Sequence, residues 1–262
     1  MKKELFLFQM KRHAPFAVLM GVLMSLLAFG AALLYTEETV AALSEARAQA
    51  PALFAAFGIG GSTALLDHMA SLLHGFLFPV LGFAMAARLA ALLFPALIES
   101  GEISHYLALP IRRAGFAQVQ GLVLLGCQAI SVLISTIGTW LSSLLPGHGQ
   151  VNLLWLLTLS FGQLCLWTFS GGAALMVAAG RDEKRGTAAR ILLLVLAFYL
   201  VKMVSLIPAV PRVLALLTPY SLFHAQALAK GRLEPEVLIL PLLGLCLFLI
   251  GSRRFAKRDL PI

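Results

Sequence analysis

Few of the residues that do chemistry in proteins fall here at a usable spacing. Asp67, His68 and His74 come nearest to a metal or hydrolase cluster. Two histidines six apart beside one acid are usually an incidental grouping, so no catalytic or metal role is assigned to them. Ser170, in FSGGAA, has the setting of an intramembrane nucleophile, but no histidine sits in a later span to activate it. Gly180–Thr187, GRDEKRGT, imitates a phosphate-binding loop with five residues between its glycines and no lysine before its threonine. It lacks the parts that cradle phosphate and reads as a plain loop. No Walker motif occurs, and no cofactor is expected in this chain.

Two polar stripes fall on helical faces. One is Gln128, Ser131, Ser135, Gly138 and Ser142; the other is Ser160, Gln163, Ser170 and Ala174. They could line a pathway. The favoured reading is interhelical hydrogen bonding and close packing, each contact worth about a kcal/mol or less. Arg88 and Lys202 are the charges set deepest in apolar sequence. Arg88 is within snorkelling reach of the interface or could meet a carboxylate, and Lys202 needs a partner or water.

What must position these groups is a set of membrane-spanning helices. The chain has 262 residues, 60% hydrophobic and 12% charged, with a mean hydropathy of +0.91, far above that of a soluble domain. Its net charge of +8 is dispersed over short segments between apolar runs, which speaks for topology and against a nucleic-acid surface. Cys127, Cys165 and Cys246 are odd in number and lie inside apolar runs, so they read as small core residues and not as a disulfide framework.

Six spans are predicted in one transmembrane domain covering residues 1–262, at about 14–35, 69–97, 114–145, 151–179, 191–207 and 237–251. Before the first, Lys2–His13 mixes Lys2, Lys3, Lys11 and Arg12 with Leu5, Phe6, Leu7, Phe8 and Met10, a pattern suited to an interfacial helix. The apolar run that follows is too long for a signal-peptide core and is expected to stay in the mature protein. Thr36–Gln49 reads as a short acidic helix, and FGIGGS, Phe57–Ser62, as a partly membrane-dipping stretch. Pro79 is a candidate kink in the second span. Pro146–Gln150 reads as a tight turn, and Pro208–Glu236, with an apolar middle, as an interfacial hairpin on the extracellular side before the sixth span.

Between spans two and three lies ESGEISHYLALPIRR, Glu99–Arg113. Ile103, Tyr106, Leu107 and Ile111 recur at helical steps and make one narrow apolar face, while Glu102, Ser104 and His105 are polar. Pro110 should end the helix, predicted over about 98–110, near Leu109. The basic residues then orient the whole. Lys2, Lys3, Lys11, Arg12, Arg112, Arg113, Arg181, Lys184, Arg185, Arg190, Arg253, Arg254, Lys257 and Arg258 make fourteen of the twenty on the side of the termini; Arg47, Arg212, Lys230 and Arg232 face the other way. By the positive-inside rule both termini, the insert and the Arg181–Arg190 loop are expected to be cytoplasmic.

On these residues the chain resembles the type-two ABC transporter permeases. Their second and third spans are joined by a charged helix with a Leu-x-Leu-Pro-x-x-Arg-like ending, matched here by Leu107, Leu109, Pro110 and Arg113. Their common Phe-x-x-Arg-Asp-Leu ending is similar to Phe255, Arg258, Asp259 and Leu260. The acidic-Gly-Thr lead of the family's insert is replaced by Glu99, Gly101, Glu102 and Ile103, which blurs where the helix starts. The resemblance implies an exporter subunit in the inner membrane that pairs with a second permease copy or paralogue amid lipid. It implies a separate ATPase subunit, holding ATP and Mg, that docks on the insert through Glu99, Glu102, Ile103, Tyr106, Leu107, Pro110 and Arg113. The alternative is a single-component secondary transporter or intramembrane enzyme.

Overall fold

In hydrocarbon every backbone N–H and C=O needs a partner within the protein, so long apolar runs resolve as helices. The computed structural model describes residues 2–56, 64–108, 110–145, 151–207 and 210–259, and these contain helices and helical turns with no strand. Six helical stretches are long and apolar enough to cross a bilayer: Lys2–Leu33, Leu65–Glu99, Arg113–Ser142, Leu153–Ala178, Lys184–Ser205 and Pro235–Lys257. The chain is an all-α, multi-pass membrane protein.

The first helix, α1 (Lys2–Leu33), corrects the expectation of a separate interfacial helix ahead of the span. It runs straight through Pro15. Its buried stripe, Leu5, Gln9, His13, Ala17, Met24 and Ala28, is continuous, and tertiary packing along it outweighs the hydrogen bond that Pro15 cannot donate. The partner of that stripe is the third span, Arg113–Ser142, not the next helix in sequence. Helix α2 (Glu37–Gln49) is started by Thr36, whose hydroxyl accepts from the Thr39 N–H at 3.2 Å. Helix α3 (Pro51–Ala56) follows; the Phe57–Ser62 stretch lies outside the described residues.

The second span is segmented into α4 (Leu65–Met69), a π-helical stretch (Ala70–Leu77), α5 (Phe78–Leu93) and α6 (Pro95–Glu99). The π-helical turn ends just before Pro79. That proline has no N–H to give to the Gly75 carbonyl one turn back, and the Tyr199 hydroxyl donates to this carbonyl from a later span. A second break falls at Phe94, before Pro95. The chain then reverses through Gly101, whose φ of 74° is costly for any other residue, into α7 (Ile103–Leu107). The insert helix is therefore much shorter than the predicted 98–110, and Leu109 lies outside the described residues.

Helices α8 (Arg113–Ser142) and α9 (Leu153–Ala178) agree closely with the predicted third and fourth spans; the turn between them, Pro146–Gln150, lies outside the described residues. Helix α10 (Lys184–Ser205) begins well before the predicted Ile191, so much of the supposed polar loop is helix. The expected hairpin is instead a series of single turns: 3₁₀ turns at Arg212–Leu217 and Pro219–Leu222, α11 (Ala225–Ala229), and a further 3₁₀ turn at Pro235–Leu238. Helix α12 (Ile239–Lys257) continues past Gly251 into the basic C-terminal run.

Two parallel pairs, neither sequential, organise the bundle. In α1 and α8, Ser131 donates to the Ala17 carbonyl (2.7 Å) and Ser25 to the Ile134 carbonyl (3.1 Å), so residue numbers rise together along the contact. In α9 and α12, Gly172 lies on Gly244 and Met176 on Gly251, again in parallel. A Cβ on Gly172 would collide with the Gly244 backbone, so this crossing depends on both glycines.

Candidate functional site

The insert is held from inside by its apolar residues. Ile103 is 1% exposed, and Tyr106, Leu107 and Ile111 pack against the bundle core. The Tyr106 ring lies 5.6 Å from Phe116 at the start of α8. Phe116 in turn lies 5.9 Å from Phe255 near the end of α12 and 6.4 Å from Phe94 at the end of α5, and Phe94 and Phe255 are 4.9 Å apart. Four rings from four segments thus make one cluster. Tyr106 and Leu107, which the resemblance implies as contacts for a partner, are partly buried and pack against the chain's own core, where apolar surface leaves water. Facing outward are His105, Ala108 and Pro110, with Glu102 half-buried.

Polar contacts tie the same end together. Arg12 of α1 pairs with Glu102 at 3.1 Å, both side chains nearly half exposed, so the pair orients more than it stabilises. The Glu99 carboxylate accepts the Lys184 backbone N–H at 2.9 Å. Arg113 donates to the Arg258 carbonyl at 3.0 Å. Arg258 donates to the Arg181 carbonyl at 3.1 Å and pairs with Asp182. A cavity of about 450 Å³ opens between α1 and the insert, with Arg12, His13, Glu99, Glu102 and Lys184 on its wall. The two stretches that carry the family resemblance, around Arg113 and around Arg258, therefore meet in space although they lie 145 residues apart. Leu260, the last residue of the second motif, lies outside the described residues.

The polar stripes are internal to one copy of the chain. Gln128, Ser131, Ser135, Ser142, Ser160, Gln163 and Ser170 are all buried. Gln128 donates to the Trp167 carbonyl at 3.1 Å and Thr136 bridges to Ser160 at 2.7 Å. Ser135, Ser142 and Ser170 bond to carbonyls of their own helices. These bonds tie packed helices of one copy together.

Arg88 is exposed, with its guanidinium carbon 4.4 Å from the centroid of the Phe16 ring. It belongs to none of the ion pairs among the described residues. Lys202, 6% exposed, lies 5.0 Å from the Tyr199 ring and 5.1 Å from Phe223. Its partners are aromatic faces, which sequence spacing did not indicate. Phe223 and Tyr220 come from the supposed hairpin, which folds back into the bundle; burial, with Tyr199 beside it, pushes the Tyr220 phenol above its usual range.

The remaining candidates disperse. The His68 ring lies tilted against Tyr35 at 5.4 Å, whereas His74 is buried edge-on to Phe78 at 4.8 Å. Ser170 is bonded to the Leu166 and Trp167 carbonyls. In Gly180–Thr187, Glu183 stands just before α10, and Lys184–Thr187 form its first turn. Among the described residues no three His, Cys, Asp or Glu side chains gather as metal ligands would. Arg12, Asp182 and Lys184, central to the network at this end, carried no local sequence signal beyond their charge. In comparison with known proteins, no family model matches the chain and no curated protein is significantly similar to it.

Proposed function

We propose that the chain is the membrane-spanning permease subunit of an ABC transporter, paired with a second copy or paralogue around a translocation path and driven by a separate ATPase subunit that binds ATP and Mg. The reading places the basic end in the cytoplasm and takes export as the direction. One observation supports it above the others: the insert between the second and third spans is joined to the C-terminal segment through Phe116 and Phe255 and through Arg113 and Arg258.

Mechanically, the insert acts as a lever. Its outward residues, Glu102 and His105, meet the ATPase. Its inward residues, Ile103 and Tyr106, pass displacement to α8 and α12, while Glu99 passes it to α10 through Lys184. A rigid element with contacts on both faces can transmit closure of an ATPase dimer where a solvated loop could not.

The test is purification of the tagged chain from its native membrane together with products of neighbouring genes. A stoichiometric P-loop ATPase should accompany it, and ATP hydrolysis should be absent from the chain alone. Hydrolysis by the rigorously pure chain, or capture without any such ATPase, would overturn the reading.

A further inference from the structure

A second cavity lies at the basic end, lined in part by the last residues of the insert. It measures about 460 Å³ and opens between the start of α1 and the first turns of α8, where Lys2, Arg112 and Gln118 stand above Ile111, Ala114 and Gly115. Lys2 and Arg112 come from different elements, and neither belongs to an ion pair among the described residues. The end of the Lys2 side chain lies against Gly115: a Cβ there would lie 2.9 Å from Lys2 Cε and 3.2 Å from Nζ. Two like charges converging without a counter-charge repel each other unless an anion joins them.

Neighbouring residues give the depth of the cavity in the membrane. Phe255 packs on Phe116, so Gly115 and Gln118 are level with the stretch where α12 passes from apolar Leu249 and Ile250 to Arg253 and Arg254. Further along α1, Leu7 and Phe8 are apolar and exposed, at 44% and 56%. Such residues belong against acyl chains, and Lys2 just beyond them belongs among headgroups. The cavity thus joins two cations, without an ion pair among the described residues, and an amide donor to an apolar floor at the boundary between the two zones. Basic pockets between spanning helices on that side suit anionic headgroups.

We propose that this cavity binds the phosphate of an anionic phospholipid headgroup, with Lys2 and Arg112 as the charged partners, Gln118 as a neutral donor, and the acyl chains leaving along Leu7 and Phe8. Because both cations are on the surface, their replacement leaves the buried core intact.

The experiment is a titration of the purified full-length protein in detergent with phosphatidylglycerol or phosphatidylcholine, bound lipid being counted by native mass spectrometry. Wild type should prefer phosphatidylglycerol. The K2Q/R112Q variant should bind it about thirtyfold more weakly, the loss of two surface cations, and K2E/R112E more weakly still. K230Q/R232Q, at the opposite end, should match wild type. Undiminished binding by K2E/R112E overturns the proposal. So does displacement of the lipid by millimolar inorganic phosphate, which would make the cavity a site for free anions.

Discussion

The Glu99 carboxylate, at the end of the second span, accepts a hydrogen bond from the backbone N–H of Lys184, the first residue of α10. A helix start has unpaired N–H groups and a partial positive charge, and an acidic side chain satisfies both. The usual source is the residue just before the helix, yet Glu183 makes no side-chain cap here. The insert supplies it from 85 residues away. Glu99→Ala should therefore cost about 1 kcal/mol and loosen the first turn of α10. Amide hydrogen exchange read over Lys184–Thr187 is the measurement. Unchanged protection there would mean that the contact stabilises nothing.

The two faces of the insert should separate in a mutant series. Ile103→Ala removes a fully buried side chain and should lower stability by about 2–5 kcal/mol, seen as a drop in the thermal unfolding midpoint in detergent. Glu102→Lys loses an exposed ion pair to Arg12 and should cost less than about 1 kcal/mol. Glu102→Lys combined with His105→Glu should nevertheless reduce capture of the ATPase subunit several-fold. Equal capture by this double variant and wild type, at matched membrane insertion, would make the insert a mere connector.

The spans α8 and α9 were legible because hydropathy changes abruptly at Arg113 and around Gly180, and the membrane alone dictates helix between such limits. The same signal misplaced the starts of α1 and α10. Lys2–His13 and Lys184–Arg190 are polar or mixed, and hydropathy reports where a helix meets lipid, not where it ends. The apolar face of the insert was readable from Ile103, Tyr106 and Leu107. Which side that face turns to was not, because Phe94, Phe116 and Phe255 come from distant segments. The aromatic surroundings of Lys202 escaped for the same reason: Phe223 reaches it only through the folding back of the segment before the last span.

Close approach of α9 and α12 should make glycine substitutions opposite in sign at different places. Gly244→Val puts branched carbon where Phe169 Cα would already lie 2.7 Å from a Cβ, and the helices must part. Loss of the folded, monodisperse protein is expected. Gly30 lies in α1 with nothing within 4 Å of an added Cβ. Gly30→Ala should raise stability by about 0.5–1 kcal/mol through helix propensity. Thermal unfolding of both variants in the same detergent tests the pair, and a tolerated Gly244→Val would refute the crossing.

The Tyr199 hydroxyl and Pro79 make a coupled pair through the Gly75 carbonyl. Pro79 cannot donate to the Gly75 carbonyl, and Tyr199 donates to it. In wild type, Tyr199→Phe leaves a carbonyl short of a donor within the bundle and should cost about 1–3 kcal/mol. With Pro79→Ala the backbone regains an N–H one turn beyond Gly75, so a regular helical bond can replace the hydroxyl. The cost of Tyr199→Phe should then fall by at least about 1 kcal/mol in the Pro79→Ala background. Four unfolding midpoints, for wild type, each single variant and the double variant, close the cycle. Additive losses would show that Tyr199 is held by its ring contacts with Phe83 and Tyr220 and not by the vacancy that the proline leaves.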